Sequence, residues 1–191
     1  MPTQDDAHYG QPNTLALCKK EDDMKRFNVI ALMAAVSLIL ISSISFAEMA
    51  KEGSRDYRSA KSGTFTVLPM GKERLQMNFE EIGVVVGVPE NCPLFNASFR
   101  VMDTLHAING KFTASGFIEY SIPNGDKVYA TLKSEGMLGK GATGVAEIVG
   151  GTGTCNGITG TIEYEPGAQI KSAQEGTYQG ITVGKVNWKI P

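Results

Sequence analysis

The amino-acid sequence predicts an all-β fold, a single antiparallel β-barrel of about eight strands preceded by an N-terminal signal-peptide helix. Three observations carry this expectation. An apolar run with a basic flank ends on small residues near position 47. Beyond position 62, apolar side chains recur at every second place. Turn-forming dipeptides punctuate that region at short intervals, and no stretch of it has a helical period.

Residues 24–47 read MKRFNVIALMAAVSLILISSISFA. Lys25 and Arg26 form a short positive segment, and Val29 to Ile41 an apolar run broken only by Ser37. The stretch ends Ser45-Phe46-Ala47, with small residues where a signal peptidase reads them, so cleavage is expected between Ala47 and Glu48. The run is short for a membrane span, which needs about 20 residues. No Cys follows closely, which argues against a lipid anchor. Residues 1–23 carry Asp5, Asp6, Glu21, Asp22 and Asp23 and fit a signal poorly; they read as an extension from a start codon assigned too early, with Met24 the initiator. The rival reading is an uncleaved signal-anchor that tethers the domain, the membrane being engaged through this segment alone. Lys19, Lys20, Lys25 and Arg26 hold the N-terminus inside in either case, so the rest of the chain is expected to be periplasmic or secreted.

Removing residues 1–47 from the 191-residue chain leaves 144, enough for one domain with a sizeable core. Its charges nearly balance, which argues against a nucleic-acid partner. Two of the three cysteines remain, Cys92 and Cys155. In an oxidising compartment such a pair is expected to form a disulfide, closing a loop of about 64 residues and stabilising the fold by roughly 4 kcal/mol. Two buried free thiols are the alternative.

Residues 48–62, EMAKEGSRDYRSAKS, are polar and without apolar period, and read as a flexible leader to a barrel domain over 63–191. Strands are expected at 63–68, 74–88, 95–108, 111–122, 127–136, 142–149, 157–165 and 176–190. In the third, Phe95, Ala97, Phe99, Val101, Leu105 and Ala107 alternate with Asn96, Ser98, Arg100, Thr104 and His106. In the last, Tyr178, Gly180, Thr182, Gly184, Val186 and Trp188 share one face. One packed face and one wet face is the antiparallel pattern. Asn109-Gly110 and Asn124-Gly125 are hairpin signals, and Glu165-Pro166-Gly167 reads as a further turn. Glycines inside strands permit the sharp bends of a small closed barrel, and closure removes exposed edges.

The stretch Gly116–Tyr164 contains GFIEYSIPNGDKVYATLKSEG and GKGATGVAEIVGGTGTCNGITGTIEY. Its NGDKVYA hairpin and the Ile148-Val149-Gly150-Gly151-Thr152-Gly153 run, followed by Gly157 and Gly160, resemble the allene oxide cyclase-like and dirigent-like barrel superfamily, in particular its small exported bacterial members of uncharacterised role. The resemblance implies a barrel and makes a homo-oligomer plausible. It also implies two chemistries, cyclisation of an unstable fatty-acid epoxide and guidance of phenoxy-radical coupling. The superfamily's site residues lie outside the matched stretch, so none carries over. Gly150, Gly151, Gly153, Gly157 and Gly160 read as structural, serving a tight turn and crowded backbone.

The remaining motifs are mostly bland. Gly139-Lys140-Gly141-Ala142-Thr143-Gly144 matches a dinucleotide fingerprint, but a strand and not a helix follows it, so it reads as a glycine-rich hairpin. His106 is the only histidine beyond the signal segment, too few for a zinc site, and parity places it on the wet face; no metal and no cofactor are implied. Asn96-Ala97-Ser98 has the form of a glycosylation sequon, which carries no weight in a chain that reads as bacterial. Glu81 and Asp103 stand apart. Both interrupt an apolar parity, so unbroken strands would point them into the barrel, where they are candidates for a ligand cavity. A bulge that slips the register by one residue would turn both to water.

Three functions follow: a barrel that binds a small apolar ligand or a protein partner, a cyclase- or dirigent-like enzyme that steers a reactive substrate in an apolar cavity, or a solidly packed structural barrel.

Overall fold

Period-two alternation builds eight strands in the computed structural model, which describes residues 49–191. They are β1 (Glu52–Pro69), β2 (Arg74–Val85), β3 (Ser98–Ile108), β4 (Lys111–Ser121), β5 (Lys127–Met137), β6 (Gly141–Gly151), β7 (Thr159–Ile170) and β8 (Thr177–Lys189). Each pairs antiparallel with the next, and β1 also pairs with β8, so the sheet closes into a barrel. Closure pairs every strand on both sides over part of its length, leaving free edge only at strand ends such as β7 beyond Tyr164. The signal segment, the Ala47–Glu48 cleavage position and residues 1–23 lie outside the described residues.

The two ends of the barrel differ. One carries the tight turns, including Asn109-Gly110, where both residues have positive φ as a two-residue hairpin demands. The other carries the longer connections. There residues 86–97 fold inward, burying Val88, Cys92, Leu94 and Ala97 with Val128, Ile158 and Trp188. Backbone bonds fix this plug: Val85 N–H donates to Ala97 O at 2.8 Å, and Val86 N–H to Arg58 O at 2.9 Å. Ala50 N–H donates to Asn91 O at 2.9 Å, while Trp188 Nε1–H donates to Ala50 O at 2.8 Å.

At the same end the expected glycine turn is held by Asp126. Its Oδ2 accepts from Thr154 N–H at 2.8 Å, Thr154 Oγ1 at 2.7 Å and Asn124 Nδ2 at 2.9 Å. Gly150 and Gly151 end β6, and Gly153 opens a 3-10 turn over Gly153–Cys155. Gly153 has φ 51°, and a Cβ there would meet the Asp126 carboxyl, so only glycine suits both the turn and its partner. Gly157 follows the turn and Gly160 lies in β7.

Four expectations need correction. Residues 52–62 are no leader: they are the first part of β1, paired with β8 from Glu52 and with β2 from Ser59. Their inward positions hold Tyr57, Ser59 and Lys61, too polar a set to show as an apolar period. The strands expected at 74–88 and 95–108 stop at Val85 and start at Ser98, because the intervening chain is the plug and Asn96 has φ 52°. Glu165-Pro166-Gly167 is not a turn, since β7 runs through it with a register shift between Pro166 and Gln169. The proline is tolerated there because pairing of β7 with β6 has ended at Tyr164.

The fourth correction concerns the cysteines. Cys92 and Cys155 are both buried in the plugged end, but as free thiols. Cys92 belongs to the plug, whereas the Cys155 Sγ sits 4.0 Å from Met49 Sδ. Burial raises both thiol pKa values, so neither is a ready thiolate. Reductant is therefore expected to leave the urea midpoint of the protein unchanged, and a thiol reagent to label Cys92 and Cys155 only on unfolding. A midpoint that falls in reductant would show a crosslink.

Candidate functional site

The parity of β2 and β3 is unbroken from Arg74 to Val84 and from Ser98 to Ile108, with no register shift between them. Glu81 and Asp103 therefore both point inward. They line a cavity of about 420 Å³ inside the barrel, which reaches Met137–Gly139 at the tight-turn end and the Pro166–Ala168 bulge of β7. Apolar walls come from Met77, Phe79, Val101, Leu105, Ile118 and Leu132. A volume of that size lies within the range of small-molecule sites.

Glu81 is 7 % exposed and has a counter-ion, the Lys61 ammonium, at 2.8 Å. Lys61 pairs in register with Gly83, and Glu81 with Gly63, so the two charges sit diagonally across neighbouring strands. Gly63 makes a second approach possible. A Cβ there would lie 3.0 Å from the Tyr178 hydroxyl, so its absence lets Tyr178 reach from β8 across the cavity wall towards Glu81. The Lys61 Nζ also lies 5.8 Å from the centre of the Tyr178 ring. Phe79 meets Tyr178 edge to face at 5.5 Å, and Phe65 packs against both rings.

Asp103 stands opposite Phe79 on one side and Gly116 on the other. A Cβ at position 116 would lie 2.4 Å from the Asp103 Cβ, so glycine there leaves the space that the carboxylate occupies. Among the described residues, the buried Asp103 Oδ1 and the Tyr178 hydroxyl have no hydrogen-bond partner. Burial, reinforced by the nearby Glu81 charge and opposed by Lys61, pushes Asp103 from 3.8 up to about 7. Burial also drives the Tyr178 and Tyr164 hydroxyls upward, with Glu81 and Asp103 adding to it, so both phenols stay protonated.

Of the other positions singled out from sequence, the Gly139–Gly144 motif touches the rim of this cavity and His106 lies apart from it. His106 is exposed, and its Nε2 sits 3.1 Å from Gln76 Oε1 on the outer face. The Gly139–Gly144 segment is the β5–β6 hairpin with strands on both sides, and a Cβ at Gly144 would meet the Tyr164 ring. Gly139 and Gly141 touch the cavity rim as backbone. A wider, open groove of about 1220 Å³ outside carries Lys133, Glu135, Glu163 and Lys185, charges of both signs facing solvent. Sequence reading missed Lys61 and Tyr178 as site residues. Extending strict alternation back from Phe65 through Gly63 to Lys61 would have found the lysine.

No family model matches the chain, and no curated protein matches it. Among solved structures the chain is similar to the pterocarpan synthase dirigent protein GePTS1, at 11% identity and a TM-score of 0.45, over 78% of this chain and 96% of that one. A likeness of this degree assigns no function and no residue.

Asp103 gives the site a pH signature. Between 3.8 and about 7 the folded protein holds a proton that the unfolded chain has released, so stability falls as pH rises through that window. Asp103→Asn is expected to flatten the slope and to raise stability at about pH 8 by on the order of 2 kcal/mol. Urea midpoints of the two proteins across the window check this.

Proposed function

We propose that this barrel binds a small, mainly apolar molecule in its interior. The observation that carries the reading is the interior cavity, apolar in most of its walls yet holding two buried polar atoms, on Asp103 and Tyr178, with no hydrogen-bond partner among the described residues. Buried polar groups are ordinarily satisfied, because each one left alone costs about 1–3 kcal/mol. A ligand that buries an apolar body and offers these atoms a partner offsets that cost. A solidly packed structural barrel would need neither the space nor the orphaned atoms.

A cavity enzyme is the second reading, favoured by one observation. Asp103 faces the cavity with a pKa near 7, where a carboxyl can both give and take a proton at neutral pH. The cavity would hold a reactive substrate in one conformation while Asp103 moves the proton. Binding without turnover for every candidate substrate tried would favour the first reading.

Export belongs to the same proposal and rests on residues 24–47. A secreted or periplasmic product whose N-terminal residue is Glu48 is the expected result. A membrane-bound product that keeps residues 24–47 would instead support the signal-anchor.

For the cavity, the uncharged fluorophore N-phenylnaphthylamine is expected to bind with enhanced emission. Filling the space with Ala114→Phe, whose position lines the cavity wall, is expected to weaken that binding by at least about tenfold. Emission that stays at the solvent level with the wild-type protein would count against the binding reading.

A further inference from the structure

The charges inside the barrel do not balance. Lys61 and Glu81 form an ion pair at 2.8 Å and neutralise each other. Asp103 has no such partner, and its buried Oδ1 accepts no hydrogen bond from any described residue. When ionised, it leaves an uncompensated negative charge in the cavity interior, where screening by water is weak, while Glu165 stands exposed at the rim. The aromatic rings beside it have the same preference. Phe79 pairs directly with Asp103 across the strands, and Tyr178 stands edge to face with Phe79. Ring faces carry negative quadrupole density and attract cations. The chain's own Lys61 ammonium already lies 5.8 Å from the centre of the Tyr178 ring.

We propose that the interior cavity takes an organic amine: a protonated ammonium on an apolar or aromatic body, with an ammonium N–H donating to Asp103 Oδ1 and the charge lying against Phe79 and Tyr178. This rests on the reading of the barrel as a ligand-binding cavity and names the class of ligand. An anionic ligand would meet two carboxylates and one ammonium already engaged. A neutral ligand can donate a hydrogen bond to Asp103 but leaves the excess charge uncompensated, so its affinity gains less from ionisation of Asp103 than a cation's does. An ammonium satisfies the orphaned oxygen and cancels the charge in one contact, which is the stronger class of hydrogen bond. The apolar body fills the volume between Leu105, Ile118 and Leu132.

The arrangement also sets a pH dependence. The charged and titratable groups lining the cavity with Asp103 are Lys61 and Tyr57 from β1, Glu81 from β2, Tyr120 from β4, Tyr164 and the exposed rim residue Glu165 from β7, and Tyr178 from β8. Burial raises all four phenols, so they stay protonated. With Asp103 titrating near 7, amine affinity rises as pH rises through neutrality, and it rises more steeply than that of a neutral isostere.

The test is calorimetric titration of the protein with phenylbutylamine and with its neutral isostere phenylbutanol. At about pH 8 the amine is expected to bind at least about tenfold more tightly than the alcohol, and this preference is expected to shrink at about pH 5.5. Asp103→Asn, which keeps the side-chain shape, is expected to abolish the preference, bringing the affinities for amine and alcohol to within about twofold of each other. Equal affinity for amine and alcohol in the wild-type protein overturns the amine assignment and leaves the binding cavity standing. A preference that survives Asp103→Asn overturns the role of Asp103. If neither compound binds and N-phenylnaphthylamine also fails, the amine assignment and the cavity reading fall together. Should Asp103→Asn not fold, the wild-type pH profile decides alone: a preference that does not change with pH overturns the proposal.

Discussion

Everything inside this barrel depends on β1 being hydrogen-bonded along both edges. From Ser59 to Thr64 the strand is in register with β2 on one side and β8 on the other, and this double pairing turns an eight-stranded sheet into a closed wall. A strand held on both edges cannot rotate its side chains away from the face that parity dictates. Lys61 is therefore committed to the interior, and an ammonium in that position needs a counter-ion. Glu81 supplies it from the next strand. With that pair made, Asp103 is the carboxylate left unpaired in the cavity interior, and the chemistry of the cavity follows from it.

The polar layer lies between two apolar ones. On the plugged side Leu94, Ile158, Val128 and Trp188 close the barrel with a dense core. On the other side Leu105, Ala107 and Ala114 pack with Leu75, Met77 and Phe112. Two glycines create the room between the layers. A side chain at Gly63 would obstruct Tyr178, and one at Gly116 would strike Asp103. Glycine in a strand lowers its stability, so these positions spend some sheet stability on the space for polar groups. The free thiols belong to the plugged layer, where burial keeps them protonated and inert.

The strands were legible wherever the inward face is apolar, as in β3 with Phe99, Val101, Leu105 and Ala107. They were illegible where the inward face is polar, and β1 is the case in point. Tyr57, Ser59, Lys61 and Gly63 show no hydrophobic period, so the segment read as a leader although β8 pairs with it from Glu52 and β2 from Ser59. The plug failed for the opposite reason: Phe95 and Ala97 continue the apolar parity of β3, yet a positive φ at Asn96 takes them into a loop. For the site, the two carboxylates could be found because each breaks an apolar alternation. Their partners were harder to see: Lys61 lies in the polar part of β1 that shows no period, and Tyr178 comes from β8, which closure alone sets beside β1.

By itself the sequence determined the all-β class, the strand number, the Asn109-Gly110 hairpin and the inward parity of Glu81 and Asp103. These are properties of neighbours along the chain, set by turn chemistry and by a side-chain period of two. Only the tertiary structure decided that β1 closes the ring, that Cys92 and Cys155 stay apart as thiols, and that one acid is neutralised while the other is not. Those outcomes depend on which strands meet across the barrel, and pairing between segments more than a hundred residues apart leaves no periodic trace in either one.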